Sequence, residues 1–521
     1  MSYRVCIPTA GTGSRLGGLT RFINKSLVTI ANRPMLSHLL EQFPADTEFV
    51  IALGHKGHLV REFLELAYPQ RRFFFAEVAP FEGPGSGLVL SLLSCKQYLQ
   101  QPFIFISCDT LVKEHIPAPD ENWMAYGEMM NLEPYRTLAL AGVNVSDICE
   151  KGEGNTVTHR PYIGLAGIYD YQQFWDAMEQ GRSTAVHSGE ALGMRALLPD
   201  IKAHSFTWYD TGNLEALALA REIYRDPYGP NILEKANEAI WFVGNQVIKF
   251  SDDHKFIANR VKRVNELRGF VPDITSVQSH MYCYPKVGGN VLSEVVTLPL
   301  FERLLAHGKL FWEKKQLSVG DTKDFRSTCL RFYRDKTFER VALFYQNFSK
   351  LDGTESINGM AMPKLESLLN DIDWDWLVDA LPGRFHGDFH FENILWNETA
   401  QHFTFLDWRQ DFGDDLSTGD IYYDFAKLLH GLIVSHELIA KDLYSVDWQA
   451  DAINYDFQRK QILVECESRF RNWIEIEGYD KKKVLVLTAL IFLNIAALHH
   501  HPYSLLLFAL GKAMLNRELE N

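Results

Sequence analysis

The chain has 521 residues, long enough for two or three domains, and its 46% hydrophobic and 23% charged residues are ordinary for a globular protein. The net charge of −14, with no cluster of lysines or arginines, argues against a nucleic-acid partner. The longest apolar run, 484–498, is broken by Thr488 and Asn494 and is too short to span a bilayer, so it predicts a core helix and no membrane span.

The seven cysteines are scattered along the chain, with no CxxC pair and no Cys/His spacing that is typical of a metal site. This scattered distribution of cysteines fits a protein of a reducing compartment. The chain starts directly with a strand-like segment, without the pattern of a signal peptide. We therefore expect a cytoplasmic protein, and a homo-oligomer is left open.

The first predicted element is a short buried strand, 5–10, which leads into a glycine-rich loop. In such a loop the backbone N–H groups can approach phosphates closely, so Gly11, Gly13 and Ser14 are candidates for nucleotide binding. The Rossmann fingerprint fails because Leu16 stands in place of its third glycine, and the GK(S/T) ending of a Walker A loop is absent.

The segments 24–27 and 33–36 complete a longer pattern. Together with the loop, they resemble the sugar-1-phosphate nucleotidyltransferases, whose signature is GxG(T/S)R followed by PKxL, with Asn24 here in place of the proline. The resemblance implies that Arg15 and Lys25 are catalytic and neutralise the triphosphate and the charge that develops as pyrophosphate leaves. The alternative is that Lys25 is a solvated loop charge.

Later segments continue this resemblance in order. The segment 83–88 takes the place of the family's loop that packs on the base, which implies nucleotide binding by Gly85, Ser86 and Gly87. A hydrophobic strand at 103–108 delivers Asp109 at its carboxyl end, where open α/β sheets bind ligands.

The segment 208–213 resembles the family's WxDTGT turn and contains Asp210. The resemblance implies that Asp109 and Asp210 share one Mg²⁺, an ion that oxygen ligands suit. Taken alone, each acid is also an ordinary capping or turn residue.

Two further segments concern the sugar-phosphate substrate. Residues 162–169 resemble the family's NAGIY strand and include Gly167. Glu150 and Lys151 resemble its substrate-binding E-K pair, although Gly152 departs from the usual proline. A solvated ion pair is the alternative for these two residues.

The segment 225–231, with two prolines and a glycine, predicts a domain boundary, so we assign domains to residues 1–228 and 235–521. Two short strands follow, and the second ends in V-I-K-F, which resembles the kinase strand that carries the ATP lysine, here Lys249. The segment 281–285, with Tyr282 and Tyr284, looks like the hinge whose backbone binds adenine. A helix is predicted over 255–267, but the acidic partner of Lys249 is unclear, since the available Glu266 comes late.

The most informative stretch is the sequence H-G-D-F-H-F-E-N at 386–393, followed by L-D-W at 406–408. Phosphoryl transfer from ATP needs one carboxylate beside the attacking hydroxyl, and a carboxylate with an amide oxygen to hold Mg²⁺. Asp388 would be the catalytic base, and Asn393 and Asp407 the metal ligands. The alternative is that all three are ordinary turn residues.

The same stretch resembles the aminoglycoside phosphotransferase and choline kinase superfamily, whose motifs read HGDxxxxN and then (I/L)D(W/F). Downstream, 419–426 matches its GDPxxDLA element, with Ile421 in place of proline. The resemblance implies that Asp420 and Asp424 have a structural role, bracing the catalytic loop. The rest of the chain predicts the helical lobe that builds the acceptor pocket, and His499–His501 are interpreted as a helix-end cluster and not as a metal site.

The predicted fold is an α/β nucleotidyltransferase domain of the GT-A-like, Rossmann-like kind, followed by an α+β bilobal protein-kinase-like domain. Two catalytic signatures in one chain predict a bifunctional enzyme with Mg²⁺ in both sites. The kinase would phosphorylate a small alcohol or sugar with ATP, and the transferase would then join CTP or UTP to that phosphate, releasing pyrophosphate. By analogy, the product would be an activated precursor for surface or capsule polysaccharide or for lipid head groups.

Three alternatives remain at this point. The first is a choline or ethanolamine kinase joined to a CTP:phosphocholine-type cytidylyltransferase, which needs an aromatic or acidic cage for the ammonium group. The second is a single active domain with the other as a regulatory nucleotide-binding module. The third is an antibiotic-modifying phosphotransferase with an attached domain, which the complete transferase signature makes the weakest of the three.

Overall fold

The structure is a computed structural model that describes residues 3–129, 131–181, 189–226 and 235–520. Its contacts divide the chain into two compact units. The amino-terminal unit comprises Met1–Ile257 and Ile274–Lys286, and the carboxy-terminal unit comprises Ala258–Asp273 and Val287–Asn521. Most of the predicted linker lies outside the described residues, and the domain limits 1–228 and 235–521 stay a prediction.

The amino-terminal unit is an α/β structure. Its helices are α1 (Met35–Leu40), α2 (Gly57–Ala67), α3 (Leu88–Cys95), α4 (Tyr171–Gln180), α5 (Ala191–Arg195) and α6 (Leu214–Ile223), and α7 (His254–Arg263) begins in it. Its strands are β1 (Arg4–Pro8), β2 (Thr29–Ile30), β3 (Arg33–Pro34), β4 (Glu48–Leu53), β5 (Arg72–Glu77), β6 (Phe103–Ile106), β7 (Thr110–Val112), β8 (Trp123–Tyr126), β9 (Thr137–Ala141), β10 (Asn144–Cys149), β11 (His159–Ile168), β12 (Lys202–Ser205), β13 (Trp208–Asp210), β14 (Glu238–Val243), β15 (Gln246–Ser251), β16 (Ser276–Val277) and β17 (Met281–Pro285).

The main sheet has the strand order β5-β4-β1-β6-β11-β8-β12-β10-β9 among the described residues. The strands β5, β4, β1 and β6 are parallel, and β11 runs antiparallel to β6. The central strands β1, β4 and β6 are apolar and almost wholly buried, as expected for strands covered on both faces. Because their carboxyl ends lie at one edge, the loops that follow them meet there, and this edge carries the predicted transferase residues.

A second, antiparallel sheet in this unit has the order β14-β15-β17-β16. Its strands β14 and β15 are the two strands predicted before the kinase motifs, joined at Gly244 and Asn245. The segment 281–285, predicted as a hinge, is instead β17, which pairs with β15 on one side and with β16 on the other.

The carboxy-terminal unit is mainly helical, with short strand pairs. Its helices are α8 (Leu292–Val295), α9 (Leu298–Phe311), α10 (Val319–Leu330), α11 (Lys336–Phe348), α12 (Leu365–Asn370), α13 (Trp374–Leu377), α14 (Ile421–Ile433), α15 (His436–Ala440), α16 (Gln461–Ile476), α17 (Lys481–Ala496) and α18 (Tyr503–Glu520), with a π-helical turn, Arg331–Asp335, between α10 and α11. Its strands are β18 (Asn290–Val291), β19 (Glu355–Ile357), β20 (Met360–Met362), β21 (Pro382–Gly383), β22 (Ile394–Asn397), β23 (His402–Phe405), β24 (Gly419–Asp420), β25 (Tyr444–Trp448) and β26 (Ala452–Phe457).

The helix α17 is buried almost all round, and it packs against α11, α14 and α18. A helix that is apolar on every face lies in a core, so the prediction of a core helix from 484 onwards is confirmed. The three histidines 499–501 follow the end of α17 and precede α18. Across the described ranges, the chain has no helix with the length and apolarity that crossing a bilayer needs.

Candidate active sites

The first candidate site lies at the carboxyl edge of the main sheet. Lys25 Nζ donates a hydrogen bond to Asp109 Oδ2 over 3.1 Å, and both side chains are largely buried, with 18% and 17% of their surface exposed. Burial by itself disfavours both charges, but the pair overcomes it. Asp109 raises the pKa of Lys25 above its usual value, and Lys25 and the Ser107 hydroxyl lower the pKa of Asp109 to about 2.

Asp210 points towards the same place. A Cβ atom built on Gly212 would lie 3.0 Å from Asp210 Oδ1, 3.2 Å from Asp109 Oδ2 and 3.0 Å from an Nη atom of Arg15. The four residues Lys25, Arg15, Asp109 and Asp210 therefore converge on one small space that a side chain at Gly212 would fill. Two carboxylates facing this space match the oxygen ligands that Mg²⁺ takes, so the predicted ion fits these residues.

A residue that the sequence could not interpret, Asn24, organises the loop carrying Lys25. Its buried side chain donates to Thr9 O over 2.9 Å and to His55 O over 2.6 Å, and its Oδ1 accepts from Ser26 N over 2.9 Å. It thus connects the ends of β1 and β4 and caps the turn that begins at Lys25. A side chain that can both donate and accept replaces the family's proline here.

The glycine-rich segments lie around this centre. Gly13 has φ 69°, and a Cβ atom there would lie 2.8 Å from Lys25 Cβ, so the loop needs glycine to pack on the lysine stem. Gly11 and Ser14 are exposed. In the segment 83–88, the Ser86 backbone N–H and hydroxyl both bond Gly83 O, and Gly85 and Gly87 have positive φ.

The three substrate candidates occupy different settings. Glu150 accepts from Arg136 over 3.0 Å and from Arg195 over 2.5 Å. Burial by itself would raise the pKa of Glu150, but the two arginines together lower it. Lys151 is exposed in the adjoining turn. Gly167 lies in β11, where a Cβ atom would collide with the Trp123 indole at 2.1 Å, so packing alone accounts for this glycine.

The second candidate site lies in the carboxy-terminal unit and is built on Asp424 of α14. Its carboxylate accepts from the backbone N–H groups of His386 (2.7 Å) and Gly387 (2.6 Å) and from Trp312 Nε1 (3.0 Å). Asp420 caps α14 through Tyr422 N and also accepts from Tyr333 Oη and Leu381 N. Burial raises the pKa of both acids to about 6 in spite of these donors. The contacts support the predicted bracing role, which stays a prediction.

Asp388 lies in the loop that Asp424 holds. Lys427 Nζ is 2.7 Å from its Oδ1, and the Asn393 amide donates to its Oδ2 over 3.1 Å. His390 Nε2 is 3.5 Å from the same Oδ2. Burial would raise the pKa of Asp388, but Lys427 and His390 hold it well below its usual value, so the carboxylate stays charged.

Lys427 was missed in the sequence. It lies three residues after Asp424 in α14, so both side chains project from the same side of the helix. Asp424 accepts hydrogen bonds from the backbone of the loop, and Lys427 forms an ion pair with Asp388 in the same loop. The i, i+3 spacing was the available signal.

The predicted metal ligands Asn393 and Asp407 are linked through the backbone, since Leu406 N donates to Asn393 O over 2.7 Å. Asp407 has φ 55°, a left-handed conformation that aspartate tolerates, and its Oδ1 is 3.2 Å from Arg260 Nη1. A partly exposed carboxylate and a side-chain amide supply the oxygen atoms that Mg²⁺ uses, so the residues fit the ion.

A group that the sequence did not predict lies beside this loop. The potential ligand atoms of His390, Glu392 and His436 lie within 4.8 Å of one another, so these residues could hold a metal ion. His390 already contacts Glu392 through Nδ1, over 3.2 Å, and Asp388 and Asn393 through Nε2. Burial would lower the pKa of His390, but the two acids raise it to about 9, so the positive ring helps to orient the loop.

The remaining kinase candidates belong to the amino-terminal unit. Lys249 is buried in β15, in register with Tyr282 of β17, and Tyr284 lies two residues further along the same strand. Backbone pairing within the sheet occupies this strand, which gives no support to adenine binding by the backbone of Tyr282. Their nucleotide-binding roles stay predictions. Glu266 of the other unit is paired with Lys315 over 3.1 Å.

Comparisons with known proteins match the two parts of the chain separately. A family model described as "Phosphotransferase enzyme family" matches residues 320–449, which contain the loop of Asp388 and the helix α14. The bifunctional protein GlmU of Methanocaldococcus jannaschii is 23% identical over 252 residues, 46% of this chain and 59% of that protein. The low-salt glycan biosynthesis nucleotidyltransferase Agl11 of Haloferax volcanii is 25% identical over 233 residues, 41% of this chain and 64% of that protein.

Among solved structures, the CTP:phosphocholine cytidylyltransferase of Streptococcus pneumoniae is 16% identical, with a TM-score of 0.35, covering 43% of this chain and 100% of that one. This chain thus spans less than two thirds of the length of GlmU and Agl11. The amino-terminal half of the chain resembles sugar-1-phosphate nucleotidyltransferases, and its carboxy-terminal part resembles the phosphotransferase enzyme family.

Proposed function

We propose that the chain is a bifunctional enzyme that phosphorylates a small alcohol or sugar with ATP and then transfers a nucleotidyl group from CTP or UTP to the new phosphate. The observation that carries this proposal is that each unit holds its own ionised carboxylate against a largely buried lysine. These pairs are Asp109 with Lys25 and Asp388 with Lys427. Perturbed ion pairs inside matched motifs are typical of catalytic centres, and two of them favour two reactions.

In the kinase step, the acceptor hydroxyl gives its proton to Asp388 while its oxygen forms a bond to the γ-phosphorus of ATP, and ADP leaves. A carboxylate that stays ionised can accept this proton. Mg²⁺, when bound, neutralises the charge of the phosphates, and Asn393 and Asp407 would hold it.

In the transferase step, an oxygen of the phosphorylated product attacks the α-phosphorus of the nucleoside triphosphate, and pyrophosphate leaves. Lys25 and Arg15 would stabilise the charge that develops on the leaving group. Asp109 and Asp210 would hold the Mg²⁺ that screens the reacting anions. The glycine-rich segments 11–14 and 85–87 would contact the nucleotide.

The product would be an activated alcohol or sugar with pyrophosphate as the second product. The name of Agl11 refers to glycan biosynthesis, which by analogy favours a precursor of surface polysaccharides or lipid head groups.

The proposal is tested with Asp388→Asn and Asp109→Asn, which keep the shape of each side chain and remove its charge. ADP formation is measured with Mg·ATP and a panel of small alcohols and sugars. Pyrophosphate release is measured with CTP, UTP, dTTP and GTP and a panel of alcohol and sugar phosphates. We expect Asp388→Asn to lose only the first activity and Asp109→Asn only the second.

The matched controls are Asp324→Asn and Asp120→Asn, because both acids are exposed and lie outside the two candidate sites. They should leave both activities unchanged. If either Asp388→Asn or Asp109→Asn removed both activities while thermal unfolding stayed normal, the two-site proposal would be wrong.

A further inference from the structure

A cavity of about 230 Å³ lies within the carboxy-terminal unit, beside the loop of Asp388. The π-helical turn, α11, the segment after β23, α14 and α17 supply its walls. π-helical turns occur often at functional sites because they displace side chains from the regular helical positions. Here the turn contributes Phe332 and Tyr333 to the lining.

The cavity adjoins the proposed catalytic base. Lys427, one of its lining residues, has its Nζ 2.7 Å from Asp388 Oδ1. Arg409, another lining residue, donates its backbone N–H to His386 O over 2.8 Å. A Cβ atom on Gly387 would lie 2.5 Å from Arg409 Cβ, so the arginine packs directly on the loop. A molecule in the cavity would therefore lie next to Asp388.

The charged lining residues are all cations: Lys336, Arg340, Arg409 and Lys427. Lys427 is compensated by Asp388. Within the described ranges, Lys336, Arg340 and Arg409 form no ion pair with a carboxylate. Lys336 and Arg409 instead stack on the ring of Phe332, at 4.3 and 4.8 Å.

The crowding of these cations has a measurable consequence at Lys336. Burial, and then Arg409, Arg340 and Lys427, lower the pKa of Lys336 to about 7. Like charges held together without counter-ions cost free energy, and a bound anion would offset that cost. A choline-like ammonium group would instead add a further positive charge to the cations that line the cavity.

The opposite wall offers a different contact. Asn494 of α17 lines the cavity, and its amide donates to Thr337 Oγ1 over 2.8 Å and to Leu490 O over 2.7 Å. Its buried Oδ1 accepts no hydrogen bond from any described residue. A ligand hydroxyl could satisfy this acceptor. The remainder of this wall is apolar, with Leu487 and Ile491.

We propose that the alcohol phosphorylated by this chain is an anion: a small hydroxyl compound whose carboxylate or phosphate binds Lys336, Arg340 and Arg409 while its hydroxyl faces Asp388. This inference rests on the proposed kinase function and specifies its substrate class. It disfavours choline, ethanolamine and aminoglycoside acceptors, because their positive charges would meet the three cations Lys336, Arg340 and Arg409, which have no carboxylate partner among the described residues.

The test measures ADP formation by the full-length chain with Mg·ATP and three classes of probe. The anionic probes are glycerate and glycerol phosphate, the neutral probes are glycerol and glucose, and the cationic probes are choline and ethanolamine. We expect turnover with the anionic class, and the carboxylate and phosphate members identify which anion is used. Lys336→Gln and Arg340→Gln should each raise the acceptor KM by about tenfold or more, with the ATP KM unchanged.

Two variants make this result specific. Lys323→Gln removes a lysine from the exposed surface of α10, so it should leave the acceptor KM unchanged. Lys336→Arg keeps the charge and should retain most of the affinity. Preference for cationic or neutral acceptors, or an effect of Lys336→Gln on the ATP KM alone, would overturn the inference.

A binding measurement separates this inference from the kinase proposal. Glycerate, glycerol phosphate and inorganic phosphate should each raise the melting temperature of the wild type, and Lys336→Gln should remove that rise. If ATP is consumed only with cationic probes and no anion stabilises the protein, the anionic acceptor is wrong and the kinase stands. If ATP neither stabilises the protein nor is consumed with any probe, the kinase proposal itself fails, and with it the inference.

Discussion

The ammonium group of Lys427 lies 2.7 Å from Oδ1 of Asp388, and the two residues belong to different elements that Asp424 joins. Asp424 and Lys427 share one side of α14, so the helix fixes the backbone and the acid of the same loop. Burial would lower the pKa of Lys427, but Asp388 raises it. Lys427 therefore stays a cation and Asp388 stays an anion. Asp388, the proposed base, and Lys427 thus form a rigid unit at the edge of the cavity that the four cations line.

Lys427→Met should lower the kinase kcat by roughly ten- to a hundredfold, because Asp388 loses the contact that orients it towards the hydroxyl. The ATP KM should not change. Lys427→Arg should recover much of the rate, since it restores a cation. The measurement is steady-state kinetics with the anionic acceptor identified by the probe panel.

A purely structural role for Lys427 would give a different pattern. In that case Lys427→Met would lower the melting temperature and affect both kinetic constants together, and the nucleotidyl transfer of the same protein serves as the internal control. A normal kcat in a stably folded Lys427→Met protein would contradict the positioning role.

The affinity for an anionic acceptor should depend on pH through Lys336. Its pKa of about 7 means that it is a cation below pH 7 and loses its charge above it, so the acceptor KM should rise by up to about tenfold between pH 6 and 8. Arg340, Arg409 and Lys427 are the cations that face Lys336, and Asp388 raises the pKa of Lys427 against the effect of burial. Tyr333 and Tyr423 also line the cavity, and burial raises the pKa of Tyr333 well above its usual value.

Lys336→Arg provides the matched comparison for this pH dependence, because arginine keeps its charge. The KM of the variant should stay flat where that of the wild type rises. An equal rise in both proteins would assign the pH dependence to another group, such as the acceptor itself.

The sequence was sufficient to predict the elements that carry each motif. The predicted strands at 5–10 and 103–108 correspond to β1 and β6, because an apolar run bounded by glycine or polar residues is a local signal. Lys25 and Asp109, 84 positions apart, meet because parallel strands end at one edge of the sheet. That meeting follows from the topology that the motifs imply.

The basic cavity could not be predicted in the same way. Lys336, Arg409 and Lys427 come from three elements, and the π-helical turn that places Phe332 between them has no sequence signature. Asn24 is a similar case, since its hydrogen bonds to Thr9 O and His55 O join segments that become neighbours only after folding. The segment 281–285 resembles a kinase hinge in sequence, but its residues form β17, because they pair with β15 and β16, which are distant in sequence or visible only in the fold.

Lys25→Met should reduce nucleotidyl transfer by about a hundred- to a thousandfold, because a preorganised cation opposite the developing charge is lost. Kinase activity of the same protein should be unchanged. Lys235→Met is the control, since Lys235 is exposed and pairs only with Glu238 in the part of the chain that the structure describes. Loss of ADP formation in a folded Lys25→Met protein would contradict separate sites.

Asn24→Ala should lower the free energy of unfolding by about 1–3 kcal/mol, because two backbone carbonyls lose their donor and the turn at Lys25 loses its cap. Urea denaturation followed by tryptophan fluorescence measures the change. The dependence of the free energy of unfolding on urea concentration should be the same in the variant and the wild type. Asn144→Ala is the control, because Asn144 is exposed and its side chain accepts a hydrogen bond only from Lys202 among the described residues. Its effect should stay within about 0.5 kcal/mol.

The same Asn24→Ala protein should also lose nucleotidyl transfer beyond what its stability explains, since Lys25 begins the turn that Asn24 caps. At a temperature where the variant is fully folded, we expect a lower kcat with little change in kinase activity. Full transferase activity in a destabilised Asn24→Ala protein would show that the turn keeps Lys25 in place without its cap. In that case the three hydrogen bonds of Asn24 would stabilise the sheet edge alone, and Asp109 would be the residue that positions Lys25.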